Sequence, residues 1–438
     1  MKVLLLLAGR SKRFWPLHEK TLFPICGRTL LEIQVERLRQ VGLKDIILVG
    51  GTHNLAQAKA LLPDLPTIEQ SDLSLGMRGA LLSALPSISR DPVLIVSGND
   101  VIDAQGFASV LAIGKKEKTG GALLARRVSS YFPGGYLTTT GDRVTSIVEK
   151  PEPGKEPGDL VNIVVHLHQS PHLLLEALRS VGDEGDDGYE RALALLFKEH
   201  PYHAVPYEGF WQPIKYPWHL LPLLSHLLTE ITTPSIHRSA SIHPSAVIEG
   251  NVIIDEGVRI FPHAAIVGPC FIGKHSVVAN NALVRQASIG DRCVVGYSTE
   301  VKSSVLARDV WTHMTYIGDS IVGENVSFGA GTVLGNLRLD EGEISSVVGE
   351  ESLLTHLRKF GAAIGDHCRL GIHVGTNPGV KIGQGSFIGS GTLVNQDIPE
   401  RSFVSVKGGV LTIRENRSSP PTAQSRSNLH SIPKPKTP

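Results

Sequence analysis

Residues 236–284 read IHRSASIHPSAVIEGNVIIDEGVRIFPHAAIVGPCFIGKHSVVANNALV, and nine aliphatics fall in step of six: Ile236, Ile242, Ile248, Ile254, Ile260, Ile266, Ile272, Val278 and Val284. A period of six is neither a helical nor a hairpin period. One β-branched residue per hexad, with small or polar residues between, suits a parallel β-helix whose triangular coils each take three hexads. The ladder resumes at Ile289, Val295 and Val301, then at Val322, Phe328 and Leu334, and finally at Ile364, Leu370, Ile382, Ile388 and Val394. The breaks in register are expected to be insertions, where function often sits. Beside one of them runs 311–336, WTHMTYIGDSIVGENVSFGAGTVLGN, which sets His313 among Gly-rich repeats. An imidazole is suited to general-base work near neutrality, although a histidine among hexads is also an ordinary surface residue.

The 438 residues are too many for one ordinary core and fit two domains with appendages. With 43 basic against 42 acidic residues the net charge is +1, so neither nucleic acid nor an anionic membrane is an expected partner. The four cysteines, Cys26, Cys270, Cys293 and Cys368, have no CxxC spacing, which argues against a zinc site or a disulfide framework and for a reducing cytoplasm. The opening KVLLLLA is followed at once by GRSKRF instead of a cleavage site, so it is not read as a signal peptide.

From Lys2 to about Glu208, short apolar runs alternate with amphipathic stretches: VLLLLA, TLLEIQVERLRQ, DIILVGG, AQAKALL, PVLIVSG. That alternation implies an α/β domain with a largely parallel sheet, and ligands then sit beyond the carboxyl ends of its strands. The loop after the first strand, GRSKRFWPLHEKTLFP, gathers Arg10, Lys12, Arg13 and Lys20 around Gly9. Backbone N–H groups and cations of this kind hold phosphates, and a basic surface loop has the same composition. Further on, Gln70 precedes a Gly-containing turn, and Asn99 and Asp100 end a strand where a carboxylate can meet Mg²⁺ or simply cap a helix. GGYLTTTGDRVTSIVEK reads as a hairpin over Gly141-Asp142, and LVNIVVHLH as another strand. The expected boundaries are a first domain at 1–230, a linker at 231–235, a β-helix at 236–415 with a loop or hairpin thrown out between Arg338 and Gly361, and a Pro/Ser-rich disordered tail at 416–438.

Leu7 to Pro24 resembles the nucleotide-binding signature of sugar-1-phosphate nucleotidylyltransferases at Arg13, Pro16, Leu17, Lys20, Leu22 and Pro24, and the likeness runs on through VSGNDV, IVEKPE, LVNIVV and GFWQPIKYPWHLL. VGYSTEVKSSVLARDVWTHMTYIGDS and GAGTVLGNLR resemble the hexapeptide acetyltransferase half of the archaeal-type bifunctional nucleotidylyltransferase/acetyltransferases. The resemblance implies a Rossmann-like nucleotidylyltransferase domain followed by a left-handed parallel β-helix, assembled as a homotrimer. It implies Gly9, Arg13 and Lys20 at the triphosphate, Gln70 and Gly76 at the base, Asp100 on Mg²⁺, and Gly135, Glu149 and Asn162 facing the sugar. In the second half it implies His313 as general base, Arg285, Lys302 and Tyr316 at a sugar phosphate, Asn336 at the amine, and Ala330 at acetyl-CoA. The substrates would be a nucleoside triphosphate, a sugar-1-phosphate and acetyl-CoA.

Departures from that pattern keep a second reading open. Ser11 and Lys12 replace a glycine and a threonine of the signature, Glu19 replaces a proline, Met77 and Arg78 follow Gly76, and Val164 replaces a glycine. Pro213 stands where a second metal carboxylate is expected, Ser327 where an Asn precedes the GAG turn, and EGEISS follows NLRLD where lysines are usual. The alternative is a degenerate nucleotidylyltransferase-like scaffold that retains only acyl transfer, or neither activity.

Overall fold

A computed structural model describes residues 1–425 apart from positions 8, 10, 89, 116–118, 183, 184 and 186. Arg10 and residues 426–438 of the expected tail therefore lie outside the described residues. The chain divides into two compact units, one of Met1–Arg10 and Thr29–Pro213, the other of Ser11–Arg28 and Ile214–Pro438. The expected border at 230 thus moves to Pro213, and the basic loop crosses to the second unit.

In the first unit the apolar runs become strands buried on both faces: Val3 to Leu5, Leu48, Val49 and Val93 to Val96 are at most 1% exposed. Such runs suit the middle of a sheet covered by helices on either side. The sheet has nine strands. Its first half is parallel, in the order Thr67–Glu69, Ile46–Gly50, Lys2–Leu6, Val93–Ser97. The expectation of a largely parallel sheet needs correcting beyond that point. Strand Leu160–His168 runs antiparallel to both Val93–Ser97 and Gly121–Arg127, and the hairpin Gly135–Thr140/Arg143–Glu149 closes the edge. A two-residue turn can only join antiparallel neighbours, so the hairpin dictates the mixture. Helix Leu30–Gln40 starts at a capping box in which Thr29 Oγ1 accepts from the Glu32 amide and Glu32 accepts from the Thr29 amide. Beside the main sheet, Asp100–Ile102 pairs antiparallel with Trp211–Pro213.

The hexads of the second unit wind into three faces of parallel strands, each strand pairing with its counterpart one coil on: three strands later along most of the coil, two later across the 16-residue turn and five later across the inserted hairpin. Ile254, Ile272, Ile289, Leu306, Val322, Ile364 and Ile382 form one inward column, and Ile266, Val284, Val301, Ile317, Leu334, Thr376 and Val394 another. Nearly all of these aliphatics are at most 1% exposed, and each contributes about 1.5–3 kcal/mol by leaving water. The partners Ile266 and Val284 are 18 residues apart, Val284 and Val301 are 17, Val301 and Ile317 are 16, and Ile317 and Leu334 are 17. Two of the three breaks in the hexad ladder are therefore deletions, contrary to the expected insertions. Only the third, between Leu334 and Thr376, is an insertion, and it carries the antiparallel hairpin Ser345–Val348/Glu351–Leu354.

Ser11–Arg28 belongs to this unit through several contacts. The Cys26 amide donates to Ser288 Oγ at 2.8 Å, His18 pairs with Gln384, and the Lys381 ammonium lies over the Trp15 ring at 5.6 Å. Helix Leu220–Thr229 buries Leu220, Leu223, Leu224, Leu227 and Leu228 here, next to Trp218, whose ring lies 6.0 Å from Phe360. The tail also departs from expectation as far as it is described. Asn416 donates to the Gly385 carbonyl at 2.9 Å, and the Pro421 carbonyl accepts from Asn325 and Arg369, each at 3.1 Å. Paired main-chain groups of this kind fix a polar segment that composition alone leaves free.

Candidate functional site

His313 sits where the coil is shortest. Over the 16-residue turn from Val301 to Ile317, one side shrinks to a single bridge through Trp311, which pairs with Val294 and Ser327. Thr312 fills the inward position with a hydroxyl in place of an aliphatic. Its Oγ1 accepts from the Gly296 amide at 3.0 Å and lies 3.1 Å from the Val294 carbonyl, so the polar side chain is satisfied inside the coil. Gly296 is required there, because a Cβ would meet the Thr312 carbonyl oxygen at 2.0 Å. With Thr312 pinned inward, His313 turns out and is exposed, and its ring has no hydrogen-bond partner among the described residues. Ala330 occupies the same corner one coil later, where the Gly331 amide donates to the Met314 carbonyl at 3.0 Å.

The adjoining face collects the other residues expected at this site. Arg285, Lys302 and Gly318 share one outward column, and Glu300, Tyr316 and Val333 the next. Lys302 Nζ lies 3.1 Å from Asp319 Oδ2, and the Asn336 amide donates to Asp319 Oδ2 at 2.6 Å and to the Tyr316 hydroxyl at 3.2 Å. Gly318 makes room for this cluster: a Cβ would stand 2.5 Å from the Tyr316 hydroxyl and 2.7 Å from Asn336 Nδ2. Arg285 is held by Glu300, with its Nε 2.9 Å from Glu300 Oε1. Asp319 is the residue that sequence reasoning missed. It is 9% exposed with φ +49°, and it joins Lys302 to Asn336. The Gly-Asp-Ser after Tyr316 was its only signal.

In the first unit, Glu149 lies directly opposite Gly135 in the hairpin. Asn162 is 8% exposed on strand Leu160–His168, with its Oδ1 2.7 Å from His166 Nε2. Gly76 opens helix Gly76–Ala84 at φ +53°, a conformation a side chain would strain. Gln70 is buried, and its amide donates to the carbonyls of Asp72 at 2.7 Å and Gly76 at 2.9 Å. Its hydrogens thus hold its own loop together. The indole of Trp211 donates to Asp100 Oδ1 at 3.0 Å, and Pro213 is the residue paired with Asp100 across the two strands. The donor set at that point is one carboxylate with one oxygen engaged.

Arg13 and Lys20 are not in the same compact unit as Gly9, Gln70, Gly76 and Asp100. They lie in two short 3-10 turns, Lys12–Phe14 and Lys20–Leu22. Ser11 and Glu19, two of the departures from the signature, hold each other: Ser11 Oγ donates to Glu19 Oε1 at 3.3 Å, and the same oxygen accepts from the Thr21 amide at 3.2 Å. Lys12 and Arg13 line a cavity of about 390 Å³ with Trp15, Val347 to Gly349 and Lys381. Burial pushes the thiols of Cys26, Cys293 and Cys368 up to about 12 and that of Cys270 to about 11, which leaves them as core residues without thiolate character.

Two domain families match the chain: a MobA-like NTP transferase domain over residues 3–126 and the GMPPB C-terminal domain over residues 231–316. A bifunctional sugar-1-phosphate nucleotidylyltransferase/acetyltransferase of Sulfurisphaera tokodaii is 32% identical over 93% of this chain and 100% of its own length. The chain belongs to this bifunctional family. Bifunctional protein GlmU of Methanococcus aeolicus is 31% identical over 94% of this chain and 98% of its own, and that of Methanocaldococcus jannaschii 28% over 92% and 97%. A solved UDP-glucose pyrophosphorylase from Acinetobacter baumannii covers 52% of the chain and is itself covered to 93%, with 18% identity and a TM-score of 0.44. The family's two halves correspond to a Rossmann-like first region and a parallel-strand second region.

Proposed function

We propose that the protein acts in sugar-nucleotide biosynthesis, acetylating an amino-sugar-1-phosphate with acetyl-CoA and joining a sugar-1-phosphate to a nucleotide. The observation that carries the acetyl transfer is the exposed His313 at a shortened corner beside the Lys302, Asp319, Asn336 and Tyr316 cluster. His313 removes a proton from the amine as the amine nitrogen attacks the thioester carbonyl. The new N–C bond forms, the C–S bond breaks, and the thiol of CoA leaves with a proton. Lys302, Tyr316 and Arg285 bind the acceptor's phosphate, Asn336 receives the amine, and the corner at Ala330 offers main-chain groups to acetyl-CoA.

In the other half, a sugar-1-phosphate oxygen attacks the α-phosphorus of the nucleoside triphosphate and pyrophosphate leaves. Arg13 and Lys20 neutralise the phosphates, Gly9, Gln70 and Gly76 frame the base and phosphates, and Gly135, Glu149 and Asn162 hold the sugar. Asp100 would hold Mg²⁺ through its remaining carboxylate oxygen, with phosphate and water completing the shell. Mg²⁺ commonly binds through one or two carboxylates plus substrate phosphates, so this donor set fits an ion carried by the nucleotide. When bound, the ion supplies neutralisation of the charge that gathers at the phosphorus. Pro213 opposite Asp100 favours a second reading in which this half binds nucleotide without transferring it.

The coil is read as left-handed and the assembly as a homotrimer in the cytoplasm. In support, exposed Tyr297, Met314 and Ile372 lie at or beside the His313 corner, and exposed Val333 and Leu393 on the adjoining face. Singly scattered apolar side chains need no partner, but a contiguous stripe does. Among the described residues, no helix is long and apolar enough to cross a membrane. Sedimentation should give three chains per particle at micromolar concentration, and a monomer would contradict the reading. His313→Ala should lower acetyl transfer to amino-sugar phosphates by roughly 10²–10⁴-fold, with pyrophosphate release unchanged. Full retention of acetyl transfer would remove His313 from the mechanism. Absence of pyrophosphate release across a panel of nucleoside triphosphates and sugar-1-phosphates would decide for the second reading of the first half.

A further inference from the structure

Behind Asn162, the core of the first unit holds a chain of four hydrogen bonds between side chains that the proposed chemistry does not use. Tyr202 OH lies 2.8 Å from His168 Nδ1, and His168 Nε2 lies 3.2 Å from Tyr189 OH. Tyr189 OH lies 2.7 Å from His166 Nδ1, and His166 Nε2 lies 2.7 Å from Asn162 Oδ1. Both histidines are 0% exposed, Tyr189 is 1% and Tyr202 is 3%. A buried donor without an acceptor costs about 1–3 kcal/mol, so every proton in the chain needs a place.

Only two proton arrangements satisfy all four contacts, one the reverse of the other, and the reverse requires the Asn162 amide turned so that Nδ2 faces His166. The end at Tyr202 chooses between them. Among the described residues the Tyr202 hydroxyl has His168 Nδ1 as its one hydrogen-bond partner, so its proton must point there. His168 is then protonated on Nε2 and donates to Tyr189, Tyr189 donates to His166 Nδ1, and His166 donates from Nε2 to Asn162 Oδ1. Burial, together with mutual repulsion in the case of His166, holds both rings neutral, which the arrangement requires. The amide of Asn162 is thereby fixed with its oxygen inward. Its Nδ2 has no partner among the described residues and is left to donate.

We propose that His166, through the one-way chain that starts at Tyr202, is a positioning residue that makes Asn162 a hydrogen-bond donor to an acceptor oxygen of the sugar phosphate. This rests on the proposed sugar-binding role of Asn162, and it specifies the ligand group that Asn162 takes: a hydroxyl oxygen or an amide carbonyl, not an ammonium. Reversing the chain would turn the amide round and present its oxygen instead.

Two measurements on the full-length protein test it. In ¹⁵N-histidine-labelled protein, with resonances assigned through His166→Gln and His168→Gln, both rings should show the neutral Nε2–H pattern. An Nδ1–H tautomer at His166 overturns the proposal whether or not the protein turns over. In the pyrophosphate-release assay, Tyr202→Phe removes the proton that sets the direction, four hydrogen bonds from Asn162. It should raise KM for the sugar-1-phosphate about tenfold while kcat and KM for the nucleoside triphosphate stay within about twofold. An unchanged sugar KM in an active Tyr202→Phe protein overturns the positioning role and leaves the nucleotidyl-transfer reading standing. A wild-type protein silent on every sugar-1-phosphate counts against that reading, and the tautomers then decide the chain alone.

Discussion

Asp319 gives the face proposed for acetyl transfer its shape through a single carboxylate. It receives Lys302 and Asn336, and Asn336 in turn reaches the Tyr316 hydroxyl. An ion pair with both side chains mostly sheltered, 15% and 12% exposed, keeps more of its Coulomb energy than a surface pair. Asp319→Asn keeps the left-handed backbone, which Asn tolerates, but it frees the Lys302 ammonium and lets Asn336 turn. The expected result is a KM for the amine acceptor raised about tenfold, or roughly 1.4 kcal/mol, with KM for acetyl-CoA unaltered. Equal changes in both constants would show that Asp319 acts on the corner at large instead of on the acceptor. At the same scale, Ser11 and Glu19 shed their character as isolated departures from a signature. They bond to each other, so the loop has replaced one local structure with another.

Strand Leu160–His168 carries a pH dependence that nothing in its alternation announces. Burial lowers His168 from 6.5 to about 3 and also lowers His166 well below 6.5, with the neighbouring His168 adding to it. Between the folded and unfolded values the unfolded chain binds protons that the folded chain refuses, so stability falls as the pH drops below about 6.5. For each histidine the slope approaches 1.4 kcal/mol per pH unit, ending near pH 3 for His168. Thermal melts should therefore show the first unit losing stability steeply between pH 6 and 4, and His168→Gln should flatten that loss. A melting temperature independent of pH over that interval would contradict the burial of neutral rings. The corner proposed for acetyl transfer also depends on an element, the shortened coil at Trp311. Its missing residues let Thr312 turn inward and His313 outward.

At the scale of the whole molecule, the border between compact units does not follow the chain. Residues 11–28 and the helix Leu220–Thr229 both precede the hexads and both belong to the second unit. A fragment ending at residue 230 would strip Cys26 of Ser288, Trp15 of Lys381 and Trp218 of Phe360. Such a fragment is expected to aggregate or to bind nucleotide at least tenfold more weakly than the full chain, as measured by titration calorimetry. Full affinity in a monodisperse fragment would show that the loop finds its conformation without residues 231–438.

Periodicity alone determined the coil. An aliphatic every sixth residue has one packing solution, so most of the inward columns between Ile254 and Val394 were legible, while Leu306, Ile317 and Thr376 fell in the gaps of the ladder. Resemblance at the motif around His313 named the residues proposed for acetyl transfer, and in the fold Arg285, Lys302, Tyr316 and Asn336 lie on one face. What tertiary structure decided was everything that depends on contacts distant in sequence. It turned two of three breaks into deletions, because the registers Val284↔Val301 and Val301↔Ile317 are set by neighbouring coils. It docked the described part of the tail through Asn325 and Arg369. It also gave Arg13 and Lys20 to the second unit and tied Asn162 to Tyr202 through a buried chain. Short-range pattern records which face of a strand is apolar. A hydrogen bond between residues 34 positions apart, as between His168 and Tyr202, leaves no period in the sequence, and only the folded chain makes it.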